Sequence, residues 1–264
     1  MNKAGISVII PTFNGRKLLE ENLPSILSQL SPEDEVIIVD DGGSDSTNAF
    51  VEEINHLQIK FVRIEKNVRF ARAANKGAEL AKNDFIFLCN NDVELQANCL
   101  SVLRAHTSKN DVFAVGCLEY EDHLEGEKSG KNKLWFARGL FQHSKSDYFV
   151  SGETAWASGG SALFSKEKWQ ELGGFDTNFS PAYWEDVDLS FRARKKGWKV
   201  LFDEKAVVIH KHETTNASIF SKKELDEISW KNGQYFTWKN TNFAQKITFL
   251  IWWPYWYLKR IKDS

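Results

Sequence analysis

The sequence predicts an α/β fold: a mostly parallel central sheet flanked by helices on both faces, followed by a C-terminal helical tail. Three observations predict it. Short runs rich in Val, Ile and Phe alternate with longer stretches of helical periodicity through the first half of the chain. The runs are apolar throughout rather than alternating, as strands covered on both faces are. The length, 264 residues, suits one full α/β domain and is short for two.

Taken in order, Ile6–Ile10 is a continuous apolar strand, too short and wrongly flanked for a secretory leader. Lys17–Leu30 carries an apolar stripe (Leu18, Leu19, Leu23, Ile26, Leu27, Leu30), with Pro24 expected to kink or restart the helix. Val36–Val39 is a second strand, and Ser44–Ile54 a second helix opening on Ser/Asp capping chemistry. Ile59–Ile64, the alanine-rich helix Phe70–Ala81 and the strand Phe85–Leu88 continue the alternation. Connections of this length imply parallel pairing. Glu119–Lys133 is polar and charged and reads as a mobile loop, while Leu134–Phe149 carries no decodable pattern. Helices follow at Lys166–Leu172 and from Asp186 to Lys196, the latter capped by Gly197. Trp198–Phe202 and Ala206–Ile209 read as two strands.

Composition excludes several classes. A net charge of −2 lacks the basic excess of a nucleic-acid binder. Three cysteines, Cys89, Cys99 and Cys117, have neither disulfide nor zinc spacing and read as buried thiols of a cytosolic protein. Ten tryptophans are many for this length, and Trp238, Trp252, Trp253 and Trp256 fall near the C-terminus.

Ligands of an open parallel sheet bind beyond the carboxyl ends of its strands. Three strands here end in polar clusters: Pro11-Thr12-Phe13-Asn14, Asp40-Asp41-Gly42-Gly43-Ser44 and Asn90-Asn91-Asp92. One such Asp is ordinary turn chemistry; three on one edge point to a site. No dinucleotide fingerprint or phosphate-cradling lysine loop is present. A diphosphate beside Asp92 therefore needs a divalent cation between them, and oxygen donors suit Mg2+ or Mn2+.

These segments resemble the successive motifs of family 2 glycosyltransferases of the GT-A fold, particularly bacterial surface-polysaccharide and rhamnosyltransferase-like members. The resemblance implies an inverting, metal-dependent hexosyl- or deoxyhexosyltransferase. Its donor would be a nucleoside-diphosphate-sugar, UDP- or dTDP-linked, and its acceptor a glycan or lipid-linked saccharide of cell-surface polysaccharide or lipopolysaccharide synthesis. On this reading Pro11, Thr12 and Asn14 hold the nucleotide with Asp41, which faces the base. Asn90-Asn91-Asp92 stands at the DXD-type metal motif. Its first two positions are amides, so Asp92 alone brings charge to the metal. Arg69 and Arg72 either meet the diphosphate or are ordinary helix arginines.

In the second half, Gly159, Gly160 and Gly173-Gly174-Phe175-Asp176 lead to Trp184-Glu185-Asp186-Val187-Asp188. Acids at this helix start, with Lys195 and Lys196 at its end, complement the helix dipole on their own account. The resemblance instead makes Asp186 the catalytic base. Gly159, Gly160 and Glu185 then lie on the acceptor side, Trp184 is an apolar platform for a sugar ring, and Asp188 is structural. It also makes His210, ahead of His212, a metal or diphosphate ligand; the alternative is a polar residue closing a sheet edge.

The expected organisation is a catalytic domain over 1–220, its nucleotide-sugar half 1–116 and its acceptor half 117–220, then an aromatic and basic tail over 221–264. Phe249–Leu258 with Lys259, Arg260 and Lys262 is too short to span a bilayer. It suits peripheral attachment to an anionic inner membrane face, or packing on the domain. Two rival functions remain, a non-catalytic nucleotide-sugar or glycan-binding module and a metal-independent glycoside hydrolase.

Overall fold

The computed structural model describes residues 4–121, 126–210 and 219–263, the last three as backbone. The strands β1 (Ile6–Thr12), β2 (Glu35–Asp40), β3 (Ile59–Arg63) and β4 (Phe85–Cys89) form a parallel sheet in the order β3-β2-β1-β4. The helices α1 (Arg16–Leu27), α2 (Thr47–Ile54) and α3 (Phe70–Leu80) supply the crossovers. Alternation assigns the faces. Val8, Ile10, Val36, Ile38 and Phe87 pack with Leu19, Leu23 and Ile26 of α1 on one side. Ile9, Ile37, Val39, Ile86 and Leu88 pack with Ala71, Ala73, Ala74 and Ala78 of α3 on the other. Both faces are covered, so the central positions of β1, β2 and β4 are apolar, while the edge strand β3 exposes Lys60 and Arg63.

Helix α1 runs through Pro24 and ends at Leu27, three residues before the predicted limit, and it does not restart. Helix α2 begins at Thr47 rather than Ser44. The preceding Asp45 accepts from the Thr47 N–H at 3.2 Å and from the Arg16 N–H at 2.9 Å, tying two helix starts together.

Beyond β4, the short β5 (Val93–Leu95) leads to α4 (Cys99–Arg104) and then to β6 (Val112–Glu121). Glu119–Lys133 is therefore a correction. Its first residues end a buried strand, and β7 (Lys128–Ser129) folds back on them; residues 122–125 lie outside the description. Next, β8 (Asn132–Ala137) and β9 (Leu140–Lys145) form a hairpin. Its two-residue turn, Arg138-Gly139, has φ 51° and 78°, a primed turn built without the usual Asn-Gly.

After β10 (Gly152–Glu153), β11 (Ser161–Ser165) enters the main sheet antiparallel between β4 and β6. Then come α5 (Lys166–Glu171), a 3-10 turn at Thr177–Phe179, and α6 (Glu185–Lys195). The two predicted terminal strands are one, β12 (Lys199–His210), parallel to β6 with a register shift between Asp203 and Val207. The sheet order is β10-β12-β6-β11-β4-β1-β2-β3.

Two helices follow, α7 (Lys222–Asn240) and α8 (Phe243–Asp263). Ser221 and Glu224 form a reciprocal capping box at the start of α7. A third apolar cluster joins Phe179, Trp184 and Val187 to Phe236 of α7 and Phe141 of the hairpin. All three cysteines are free and buried. No described helix is long and apolar enough to cross a membrane.

Candidate functional site

The carboxyl ends of β1, β2, β4 and β12 open on a cavity of about 340 Å3. On the β1–β2 side it is lined by Pro11, Thr12 and Asp41. The Asp41 carboxylate accepts from the backbone N–H of Val68 at 2.7 Å and of Arg69 at 2.8 Å. Burial raises its pKa, and those two donors only partly offset it. Asp41 thereby organises the loop that brings Asn67, Arg69 and Phe70 into the lining.

Asn90, Asn91 and Asp92 line the next wall. The Asn91 side chain donates to Thr12 Oγ1 at 2.8 Å, and the Asn90 N–H donates to the Gly160 carbonyl at 2.8 Å. The amides thus lock neighbouring strand ends together. The backbone at Gly160 passes so close that an added Cβ would stand 2.6 Å from Asn90 Nδ2. A side chain at position 160 would require the Asn90 amide to shift.

Asp92 Oδ1 faces His210 Nε2 at 3.2 Å, and His210 Nδ1 faces Glu119 Oε2 at 3.9 Å. Glu119 is itself held by Ser129 Oγ at 2.8 Å and Ser161 Oγ at 2.5 Å. Burial pulls the His210 pKa down, but the two carboxylates outweigh it and push the ring up to about 10. Without a metal the protonated ring pairs with Asp92. A divalent cation would displace that proton, and the carboxylate oxygen and neutral imidazole nitrogen then fit it, Mn2+ better than Mg2+. Among the described residues no cluster of three or more His, Cys, Asp or Glu could hold a metal. The pair therefore suits an open site completed by phosphate oxygens and water. His212 lies outside the described residues.

The remaining wall comes from Ser158, Gly159, Gly160 and from Pro181 to Asp186. Tyr183 and Trp184 are consecutive left-handed residues, with φ 73° and 76°. Such positions cost roughly 1–3 kcal/mol each and persist only where packing enforces them. Here Asn232 of α7 enforces them, donating to the carbonyls of Phe179 at 2.7 Å and Ala182 at 2.8 Å. The loop delivers Glu185 and Asp186 to the cavity at the start of α6. Asp186 accepts from the Gly159 N–H at 3.2 Å and the Val187 N–H at 2.8 Å. Burial pushes its pKa up to about 6, with those donors limiting the rise. Burial and the neighbouring Asp186 push Glu185 up to about 8, and its Oε2 is buried with no hydrogen-bond partner. Burial thus favours the neutral form of both carboxyls, more strongly at Glu185 than at Asp186.

Of the expected site residues, three fall elsewhere. Asn14 is exposed and accepts from the Ser44 N–H at 2.6 Å, bracing the second loop rather than lining the cavity. Arg72 points to solvent one turn along α3, while Arg69 occupies the lining. Trp184 is 6% exposed and packs against Phe236 and His143, so Tyr183 presents the aromatic surface instead. Sequence reasoning missed Glu119, assigned to a loop, and Ile219 and Phe220, which line the cavity ahead of α7. The run Val112–Leu118 before Glu119 was a usable strand signal; Phe220 carried none.

The Glycosyl transferase family 2 model matches residues 7–173. The poly-beta-1,6-N-acetyl-D-glucosamine synthase of Staphylococcus epidermidis is 25% identical over 207 residues, covering 77% of this chain and 49% of that protein. The GalNAc(5)-diNAcBac-PP-undecaprenol beta-1,3-glucosyltransferase of Campylobacter jejuni is 34% identical over 132 residues, 48% of this chain and 42% of that protein. The chain thus spans about half the length of these curated relatives. A mannosyltransferase from Pyrobaculum calidifontis, solved with GDP-Man and Mn2+, shares the fold with a TM-score of 0.64 at 22% identity, covering 81% of this chain and 59% of that one. The fold is therefore GT-A, and with the family model matching more than half of its length, the chain belongs to glycosyl transferase family 2.

Proposed function

We propose that this protein is an inverting glycosyltransferase that moves a hexosyl or deoxyhexosyl group from a nucleoside-diphosphate-sugar to a hydroxyl of a glycan or lipid-linked saccharide. The pathway class is bacterial cell-surface polysaccharide synthesis, supported by the relatives named above. The observation that carries the reading is a single cavity joining Asp41 and Asp92 at the strand ends to Asp186 at the start of α6.

Pro11, Thr12 and Asp41 hold the nucleotide, UDP or dTDP, with Arg69 beside the diphosphate. Asp92 and His210 hold the cation. When bound, Mn2+ or Mg2+ neutralises charge on the leaving diphosphate. Gly159, Gly160 and Tyr183 shape the acceptor side. Asp186 takes the proton of the acceptor hydroxyl as that oxygen bonds to C1 of the sugar, and the bond from C1 to the diphosphate breaks on the opposite face. Glu185, still protonated, donates to a hydroxyl of the bound saccharide and is not a nucleophile for a retaining route. Adjacent on one helix, Glu185 and Asp186 do not flank a glycosidic bond as the two carboxylates of a hydrolase do. The chain works on the cytoplasmic side, attached peripherally to the inner membrane face through its C-terminal helix.

Asp186→Asn is expected to lower the transfer rate about 10²–10⁴-fold while calorimetry with the donor and Mn2+ shows unchanged affinity. Undiminished transfer would remove Asp186 as base. No transfer from any nucleotide-sugar by the intact chain, with tight donor binding, would favour the binding module.

A further inference from the structure

Helix α8 has two faces of opposite character. Its inner face is held by the domain: Trp256 Nε1 donates to the Arg138 carbonyl at 2.6 Å, and Arg138 Nη1 donates to the Tyr255 hydroxyl at 2.7 Å. An added Cβ at Gly139, on the hairpin turn, would stand 2.7 Å from the Phe249 backbone, so the hairpin tip rests directly on the helix. The outer face is apolar and open. Phe243, Ile247, Leu250, Ile251 and Leu258 are 80%, 45%, 60%, 70% and 59% exposed. Their spacing of three, four and seven residues places them on one stripe along the helix.

Across the helix from this stripe, α7 and α8 enclose a cleft of about 560 Å3. Lys222, Lys223, Lys259 and Arg260 line it with Asp226 and Glu227, four cations against two carboxylates. Its other lining residues are Trp230 and Trp256, with ring centroids 6.3 Å apart. Arg260 lies over Trp230 at 5.3 Å and Lys259 over Trp256 at 5.5 Å. Cations stacked on indole rings thus lie on one face of a helix whose other face is apolar and open. This is the arrangement of an interfacial helix, its polar side at the headgroups and its apolar side among the acyl chains.

We propose that this cleft is a seat for lipid phosphate headgroups, holding the anionic leaflet of a bilayer while the outer face of α8 lies among the acyl chains. The inference deepens the membrane attachment in the proposed function and rests on it. The excess of cations over carboxylates complements an anionic surface, whereas a second copy of this chain would bring the same excess against it. Phe220 lines the catalytic cavity and Lys222, two residues on, lines the cleft. The leaflet therefore meets the protein beside the cavity rim, where a lipid-linked saccharide would arrive.

The test is flotation of the full chain with vesicles of phosphatidylglycerol or of phosphatidylcholine. Binding is expected to favour the anionic vesicles and to weaken with salt. Each of Lys222→Gln, Lys223→Gln, Lys259→Gln and Arg260→Gln should cost about fivefold on anionic vesicles. The pair Leu250→Glu and Ile251→Glu, at exposed positions, should abolish binding to both. Binding that ignores lipid charge and the four Gln substitutions overturns the headgroup seat while leaving peripheral attachment standing. No binding to either vesicle overturns both. A dimer seen by light scattering and dissociated by Leu250→Glu, without vesicle binding, assigns the face to a second copy and overturns the proposal.

Discussion

Asp41 and Asp186 are both carboxylates delivered to one cavity, but the chain reaches them by different routes. Asp41 follows β2, and its partners Val68 and Arg69 sit on the next loop of the same sheet edge. Asp186 follows a loop whose carbonyls are gripped by Asn232, about 50 residues later, and whose Trp184 is packed on Phe236. The first arrangement is made by repeating strand and helix. The second exists only once α6 and α7 dock. A site built across two such regions draws rigidity from the sheet on one wall and from tertiary docking on the other.

That contrast can be broken by disrupting one anchor in each region. Asp34 is fully buried and pairs with Arg104 at 2.6 Å beneath the parallel strands. Asp188 is fully buried on α6 and accepts from Arg192 at 2.7 Å, Lys239 at 2.9 Å and Asn240 at 3.0 Å. Asp34→Ala strips the nearly buried Arg104 of its carboxylate and is expected to cost about 3–5 kcal/mol in denaturant titrations. Asp188→Ala, where Lys239 keeps Asp176 at 2.7 Å, should cost less. Under conditions where both variants remain folded, Asp188→Ala should also lose acceptor turnover, whereas Asp34→Ala keeps it. Equal losses of turnover would show that the two walls are not separately supported.

A smaller effect is expected at Glu119. Its carboxylate stands 3.9 Å behind His210 Nδ1, and in the proposed metal site it would orient the ring. Glu119→Gln should weaken Mn2+ affinity about 10–100-fold, read by calorimetry without substrate, with thermal stability nearly unchanged. Unaltered affinity would reduce Glu119 to a packing role.

The mildest perturbation is pH. Burial raises the Asp186 pKa to about 6, and in the proposed mechanism its ionised form is the base. The transfer rate should rise with pH up to about 6 and level off above it, falling about tenfold per unit below that limb. A limb near 4 would mean that Asp186 is solvated in the working enzyme.

Much of the strand-end wall of the cavity was legible because a parallel strand covered on both faces must be apolar through its centre, and its polar ends then stand out. Thr12, Asp41 and Asp92 were found that way. Asn14 and Arg72 were misplaced because spacing along a loop or helix does not say which residue faces inward; Arg69 lines the cavity and Arg72 does not. The hairpin β8–β9 escaped notice because its turn is Arg138-Gly139 and its exposed face mixes charged and aromatic side chains.

By itself, the sequence determined the order of the first four strands and their helices, the strand-end carboxylates and the motifs that carry the family. Local periodicity encodes these, and each motif is contiguous. Only the tertiary structure decided that Trp184 turns into the core, that Glu119 stands behind His210, and that α8 divides into a held face and an open one. Those outcomes depend on contacts between residues tens to more than a hundred positions apart, such as Arg138 with Trp256. No local pattern carries them, because the energy that selects them comes from burial and hydrogen bonds formed only when the elements meet.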